Sequence, residues 1–312
     1  MSRNGFFGRS STAVFAAALA LVAAASACTR PTPARPHLVL ITVEGLGQAD
    51  LSEANNLRQL AGQCVRFEGL ELVNPSVPRA LALLFSGLRE LPLPGDTTAA
   101  LEPPLGPGAP LPGSVDTLFE RAAPRGFETA AVLSRAGLGL ESGLPQGAVH
   151  LWDRERLATR EDGDRPLSAA LNASVEFLDA RMARAVEHGA LLWLHLDLAQ
   201  LPAAEQGPFL DGAFARLSAA LEADPRHVLA AWFLPASDSF SYVAPFWLRV
   251  PGQTARLDTE VTDPVHLLPT LLARLGAHPP LAADPPFAPL EGRDLLAEPT
   301  APAADAGTAN DG

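Results

Sequence analysis

The chain has 312 residues and is 47% apolar, long and apolar enough to bury one large core. A net charge of −12 argues against nucleic acid as a partner. All 23 basic side chains are arginines, so any anion site must be built without lysine.

Residues 1–28 have the pattern of a targeting segment. Arg3 and Arg9 precede an Ala/Leu/Val-rich stretch, Thr12 to Ala25, that ends in Ala-Ser-Ala-Cys. The stretch is short and small-residued for a membrane span. Its end resembles a bacterial lipobox, which predicts Cys28 as a lipidated first residue of the mature protein; cleavage after Ala27 with Cys28 left over is the alternative. A lipid there would hold the protein at the membrane of the cell envelope, facing the periplasm or the surface. Residues 29–36 are Pro-rich and read as an extended tether. A domain over 37–298 and a tail over 299–312, too poor in apolar residues to pack, complete the expected organisation. With Cys28 acylated, Cys64 has no disulfide partner and is expected to be a small core residue at a helix end.

His37 to Val43 is a β-branched apolar run of the kind that forms a central strand buried on both faces. Glu44 follows at once, at a Gly-containing loop. A carboxylate there is costly to desolvate unless something pairs with it, and the carboxyl edge of an open parallel sheet is where such folds bind ligands. Metal ligation is one reading and a solvated strand-end acid the other. Farther on, Ser76 can cap a helix whose first turn holds Pro78 and whose end is Gly87. A hydroxyl in the positive field of a helix start favours developing negative charge. A strand-end acid with a helix-start hydroxyl is a plausible phosphate or sulfate site.

Leu91–Gly113 is loaded with Pro and Gly and reads as a long surface loop. Ser114 is expected to start a helix ending near Gly126, with a strand after it. A charged linker, 154–165, leads to an amphipathic helix over 166–188. A strand then ends at His195 and Asp197. Next come a helix over 209–223, a strand over 227–234, a loop carrying Asp238, another strand, and a helix over 262–276. The alternation predicts an α/β fold with a mostly parallel sheet sandwiched between helices.

The pattern L-I-T-V-E-G-L, then N-P-S-V-P-R-A-L-A-L-L-F-S-G-L, resembles the sulfatase branch of the alkaline phosphatase superfamily. Members typically open with L-I-T-V-D-T-L-R and later carry C/S/T-x-P-S-R-A-S-L-L-T-G-L. Weaker likenesses, in the same order, extend over nearly the whole domain. The resemblance implies an alkaline phosphatase/sulfatase-like fold, with Glu44 as a metal ligand and Ser76 at the nucleophile position. It implies Asp238 as second metal ligand, and in a working site Arg79 would clamp the anion and His195 give a proton; the other reading of His195 is a hydrogen-bonded strand-end histidine.

Several departures predict that hydrolysis is impaired. Relatives read T-S-D-H-G-E where this chain keeps Asp238 but has Ser239 and Phe240; a hydroxyl is a poorer transition-metal ligand than imidazole. The family's second acid beside the first is Gly45 here. Arg79 comes one place early for the C/S-x-P-x-R maturation signal, so formylglycine at Ser76 is not expected. Two carboxylates with few neutral ligands would bind calcium or magnesium weakly, if at all. The favoured expectation is a sulfatase-like envelope lipoprotein acting as a binding or structural component. Its partners would be the membrane, through the anchor, and a small anionic ester or envelope component. The alternative is a divalent-metal-dependent hydrolase or transferase of sulfate or phosphate esters with Ser76 as nucleophile; a third reading lets Asp197 or acids of the Pro-rich loop complete a relocated site.

Overall fold

A computed structural model describes residues 35–46, 54–73, 76–89, 110–182, 188–222, 224–234, 241–277, 287 and 289–297. Its frame is an eight-stranded sheet in the order β10-β2-β9-β7-β1-β6-β4-β5. The central strands are β1 (Leu38–Glu44), β6 (Gly189–Asp197), β4 (Phe127–Leu133) and β7 (Val228–Phe233). Outside them lie β5 (His150–Trp152), β2 (Val65–Phe67), β9 (Phe246–Arg249) and β10 (Arg256–Asp258). Every ladder is parallel except the two made by β9, so the mostly parallel sheet expected from the alternating pattern is present. A separate antiparallel pair joins β3 (Glu71–Val73) to β8 (Ser241–Val243).

All seven residues of β1 are buried, because both sheet faces are covered. Val39, Ile41 and Val43 pack into the layer of α1 (Asn55–Ala61), α5 (Pro166–Met182) and α6 (Ala203–Leu221). Leu38 and Leu40 face the layer of α2 (Val77–Ser86), α3 (Leu118–Ala122) and α7 (Leu267–Arg274). Strand alternation therefore sends Thr42 and Glu44 toward that second layer. There Phe85 of α2 packs on Trp193 of β6 with ring centroids 4.4 Å apart, and Phe119 of α3 lies 5.5 Å from Phe85.

Helix starts differ from expectation at four places, one of them the helix expected from Thr262, which begins at Leu267 after a 3-10 turn over Pro264–His266. The helix expected from Ser114 begins at Leu118, because Thr117 and Glu120 form a reciprocal capping box. The helix expected from Phe209 begins at Ala203 and runs through Pro208. Pro208 denies Ala204 its usual donor, but Ala204 is exposed, so water can take that place at low cost. Inside the expected linker, Asp153 caps a short α4, Arg154–Ala158, by accepting from the Arg156 N–H at 3.0 Å.

Cys64 is a core residue, as expected, at 1% exposure. Burial pushes its thiol up to about 12. Alkylation followed by peptide mapping is therefore expected to leave Cys64 unmodified in the native protein and to label it in denaturant; native labelling at pH 8 would contradict this packing.

The amino edge of the sheet is tied by a buried polar cluster. His37 Nδ1 accepts from the Ala190 N–H at 3.0 Å, and its Nε2 lies 3.2 Å from Asp224 Oδ2. Hydrogen bonds from Arg226 hold the Asp224 carboxyl down at about 2. The carboxyl edge is where the candidate site lies.

Candidate functional site

Three adjacent parallel strands, β1, β6 and β4, deliver Glu44, His195 and the Ser134–Arg135 turn to one edge. Thr42 lies in register with His195, and Glu44 with Asp197. Beyond β4, the Ser134 N–H donates to His195 O at 3.1 Å, and Ser134 Oγ accepts from the Asp197 N–H at 2.9 Å. This extends the β4–β6 pairing and carries Arg135 toward Glu44.

Glu44 is 6% exposed. Arg135 Nη1 donates to both of its oxygens, at 2.6 Å to Oε1. His195 Nε2 lies 3.2 Å from Oε2, an approach off the N–H axis that acts as an electrostatic contact more than a formed hydrogen bond. Burial by itself would raise the Glu44 carboxyl; the contacts with His195 and then Arg135 outweigh it and hold the group below its ordinary value.

Behind this pair the network is closed. The Trp193 indole can only donate, so Thr42 Oγ1 accepts from Trp193 Nε1 at 2.8 Å. Thr42 Oγ1 is also hydrogen-bonded to His195 Nδ1, 2.8 Å away, with the direction of that bond set by the imidazole tautomer. A carboxylate, an imidazole and a hydroxyl in line would resemble a nucleophilic triad. Thr42, however, is 0% exposed and held by the indole, so no substrate atom can reach it. His195 is thus a fully buried strand-end histidine hydrogen-bonded to Thr42.

Ser76 caps α2, accepting from the Arg79 N–H at a long 3.4 Å. Gly87 closes the helix at φ 64°. Among the described residues no base is hydrogen-bonded to the Ser76 hydroxyl, and Arg79 keeps a buried Nε without a partner. The structure joins Glu44 to His195, but no hydrogen bond or ion pair links either of them to Ser76 or Arg79. Asp197 accepts from the Ala199 N–H at 3.1 Å and from Gln200 Nε2 at 3.1 Å. Asp238 and Cys28 lie outside the described residues.

The metal that the resemblance implies can be tested against these donors. Both Glu44 oxygens already accept from a guanidinium, whose positive charge opposes a cation at the same carboxylate. Gly45, where the family has its second acid, has φ 74°, and a Cβ there would lie 2.6 Å from the Ala199 backbone nitrogen. Among the described residues no three His, Cys, Asp or Glu side chains group around a common point. The residues described do not fit the ion as they stand.

This arrangement of a mostly parallel sheet between helical layers is similar to that of solved proteins. A protein of the alkaline phosphatase superfamily from Vibrio parahaemolyticus superposes with a TM-score of 0.62 over 86% of this chain and 71% of its own, at 14% identity. The fold is that of the alkaline phosphatase superfamily. Other neighbours are a phosphonate monoester hydrolase of Agrobacterium radiobacter and a putative sulfatase from Bacteroides thetaiotaomicron. The first has a TM-score of 0.59 and 15% identity over 84% of this chain and 76% of that one. The second has a TM-score of 0.56 and 16% identity over 84% and 74%. Neither a family model nor a curated protein sequence matches this chain.

Arg135 was not legible as part of this sheet edge. It stands in a short loop, Ser-Arg-Ala-Gly, without periodicity. Its one signal was position: a basic residue two places after a parallel strand falls at the same sheet edge as an acid ending the neighbouring strand. Thr42, the one hydroxyl in the apolar β1 run, was a second unread signal.

Proposed function

We propose that this chain is a sulfatase-like lipoprotein of the cell envelope that has exchanged ester hydrolysis for a binding or structural role. The supporting observation is the internal neutralisation of Glu44: a guanidinium of the protein itself occupies both carboxylate oxygens. Hydrolysis on this scaffold needs an activated nucleophile and cations for the developing charge. Ser76 has no bonded base among the described residues, and the charge of Glu44 is already balanced. Lipidation at Cys28 would place the domain at a membrane surface, reached through the Pro-rich tether. No helix among the described residues is long and apolar enough to cross a membrane.

The competing reading, a metal-dependent ester hydrolase or transferase, draws on one feature: Arg79 with its unpartnered Nε at the start of α2, beside Ser76. Turnover separates the two. The full-length protein is incubated with calcium, magnesium, manganese or zinc and aryl phosphate and sulfate esters, beside Ser76→Ala. No Ser76-dependent turnover is expected. Release of the aryl alcohol that disappears in Ser76→Ala would overturn the proposal.

A further inference from the structure

We propose that a cavity at the start of α5 and α6, on the helical layer opposite Glu44, binds a small organic monoanion with an apolar body. The cavity has a volume of about 850 Å3. That lies within the range of about 300–1,000 Å3 typical of small-molecule sites. It is lined by Arg154, Arg165, Leu167, Gln200, Leu201 and Phe209, among others. Val39, Ile41 and Val43 face this layer, whereas Glu44 faces the other. The cavity is therefore separate from the acid cluster, and binding there neither requires nor excludes chemistry at Glu44.

The ligand class follows from the lining. Arg154 is half-buried and held from one side, with Nη1 donating to Ser134 O at 3.0 Å and to Gln200 Oε1 at 2.7 Å. Gln200 is itself fixed, since its Nε2 donates to Ser134 O and Asp197 Oδ2. Among the described residues the other nitrogens of Arg154 have no acceptor, and neither Arg154 nor Arg165 has an ion-pair partner. A guanidinium locked along one edge and open along the other suits an oxyanion approaching in its plane. Among the described residues no side chain accepts from the N–H groups of Leu167 or Ser168, which line the same wall and can add donors to it.

Leu167, Leu201, Pro208 and Phe209 supply the apolar surface for the rest of the molecule. The acids Asp164 and Glu205 are exposed at the rim. Water screens them, so a single charge held at Arg154 is tolerated. A polyanion reaching the rim would be repelled, which narrows the class to monocarboxylates and similar singly charged ions.

The test is calorimetric titration of the full-length protein with 4-phenylbutyrate, beside 4-phenyl-1-butanol, which lacks the charge, and acetate, which lacks the body. Saturable one-to-one binding is expected for phenylbutyrate alone. Arg154→Gln should weaken it about tenfold, the scale of one charge-assisted hydrogen bond. Arg165→Ala, an exposed site whose loss leaves the fold intact, should weaken it a few-fold. Thermal melts of both variants show whether Arg154→Gln still folds. No saturable phenylbutyrate binding by the wild type up to about 10 mM, a Kd range too weak for a site, overturns the proposal. So does equal affinity for phenylbutanol, or undiminished binding in Arg165→Ala together with a folded Arg154→Gln.

Discussion

Replacing Arg135 by alanine is expected to destabilise the protein by roughly 1–3 kcal/mol at neutral pH and to move acid unfolding to higher pH. The change leaves a buried carboxylate with only the off-axis His195 contact. The low end of that range reflects Arg135 itself, whose side chain is 34% exposed, so part of its attraction is screened. The direction in pH follows from the Glu44 carboxyl. In the fold it lies below its ordinary value of 4.5, because the His195 and Arg135 contacts outweigh burial. A carboxyl lowered by folding adds stability above its unfolded pKa, and that stability is lost as pH falls through the folded value. Without Arg135, burial is less opposed, the folded pKa rises, and the loss starts at a higher pH. Urea unfolding from pH 3 to 7 reads both effects. If the variant matched the wild type in midpoint throughout, Glu44 would not depend on Arg135, and the support for a non-hydrolytic role would fall with it.

Gly45→Asp, the substitution that restores the superfamily's second acid, is expected to cost roughly 2–4 kcal/mol and to confer no metal affinity. Gly45 has φ 74°, a region an aspartate enters with strain, and any Cβ there lies 2.6 Å from Ala199 N and 3.1 Å from Ala199 Cβ. The obstacle is backbone, which cannot turn aside as a flexible side chain does. The turn after β6 and the turn after β1 are packed against each other, so an acid at 45 requires one of them to move. Thermal melts and calcium or magnesium titration of the variant measure the two parts. A variant as stable as the wild type that binds either ion would mean the edge keeps room for a metal site.

Both expectations concern an edge whose position was legible while its contents were not. The run Leu-Val-Leu-Ile-Thr-Val ending in Glu44 indicated a central strand with an acid at its carboxyl end, and β1 has that form. Ser76, Pro78 and Gly87 bounded α2 correctly, since caps and turns are local chemistry acting over three or four residues. The capping box at Thr117 is equally local, and it rather than Ser114 sets the start of α3.

By itself, then, the sequence determined the order of the long strands and helices, the buried character of the central strands and the acid ending β1. Each depends on residues near one another in the chain, where periodicity and capping operate. Only the tertiary structure decided what Glu44 meets. Arg135 stands 91 positions from it, and the Thr42–His195 bond spans 153. Those separations carry no pattern, because the partners are brought together by the β1-β6-β4 strand order and its register. Burial then makes pairing obligatory, since a carboxylate removed from water must be neutralised by whichever groups the neighbouring strands present.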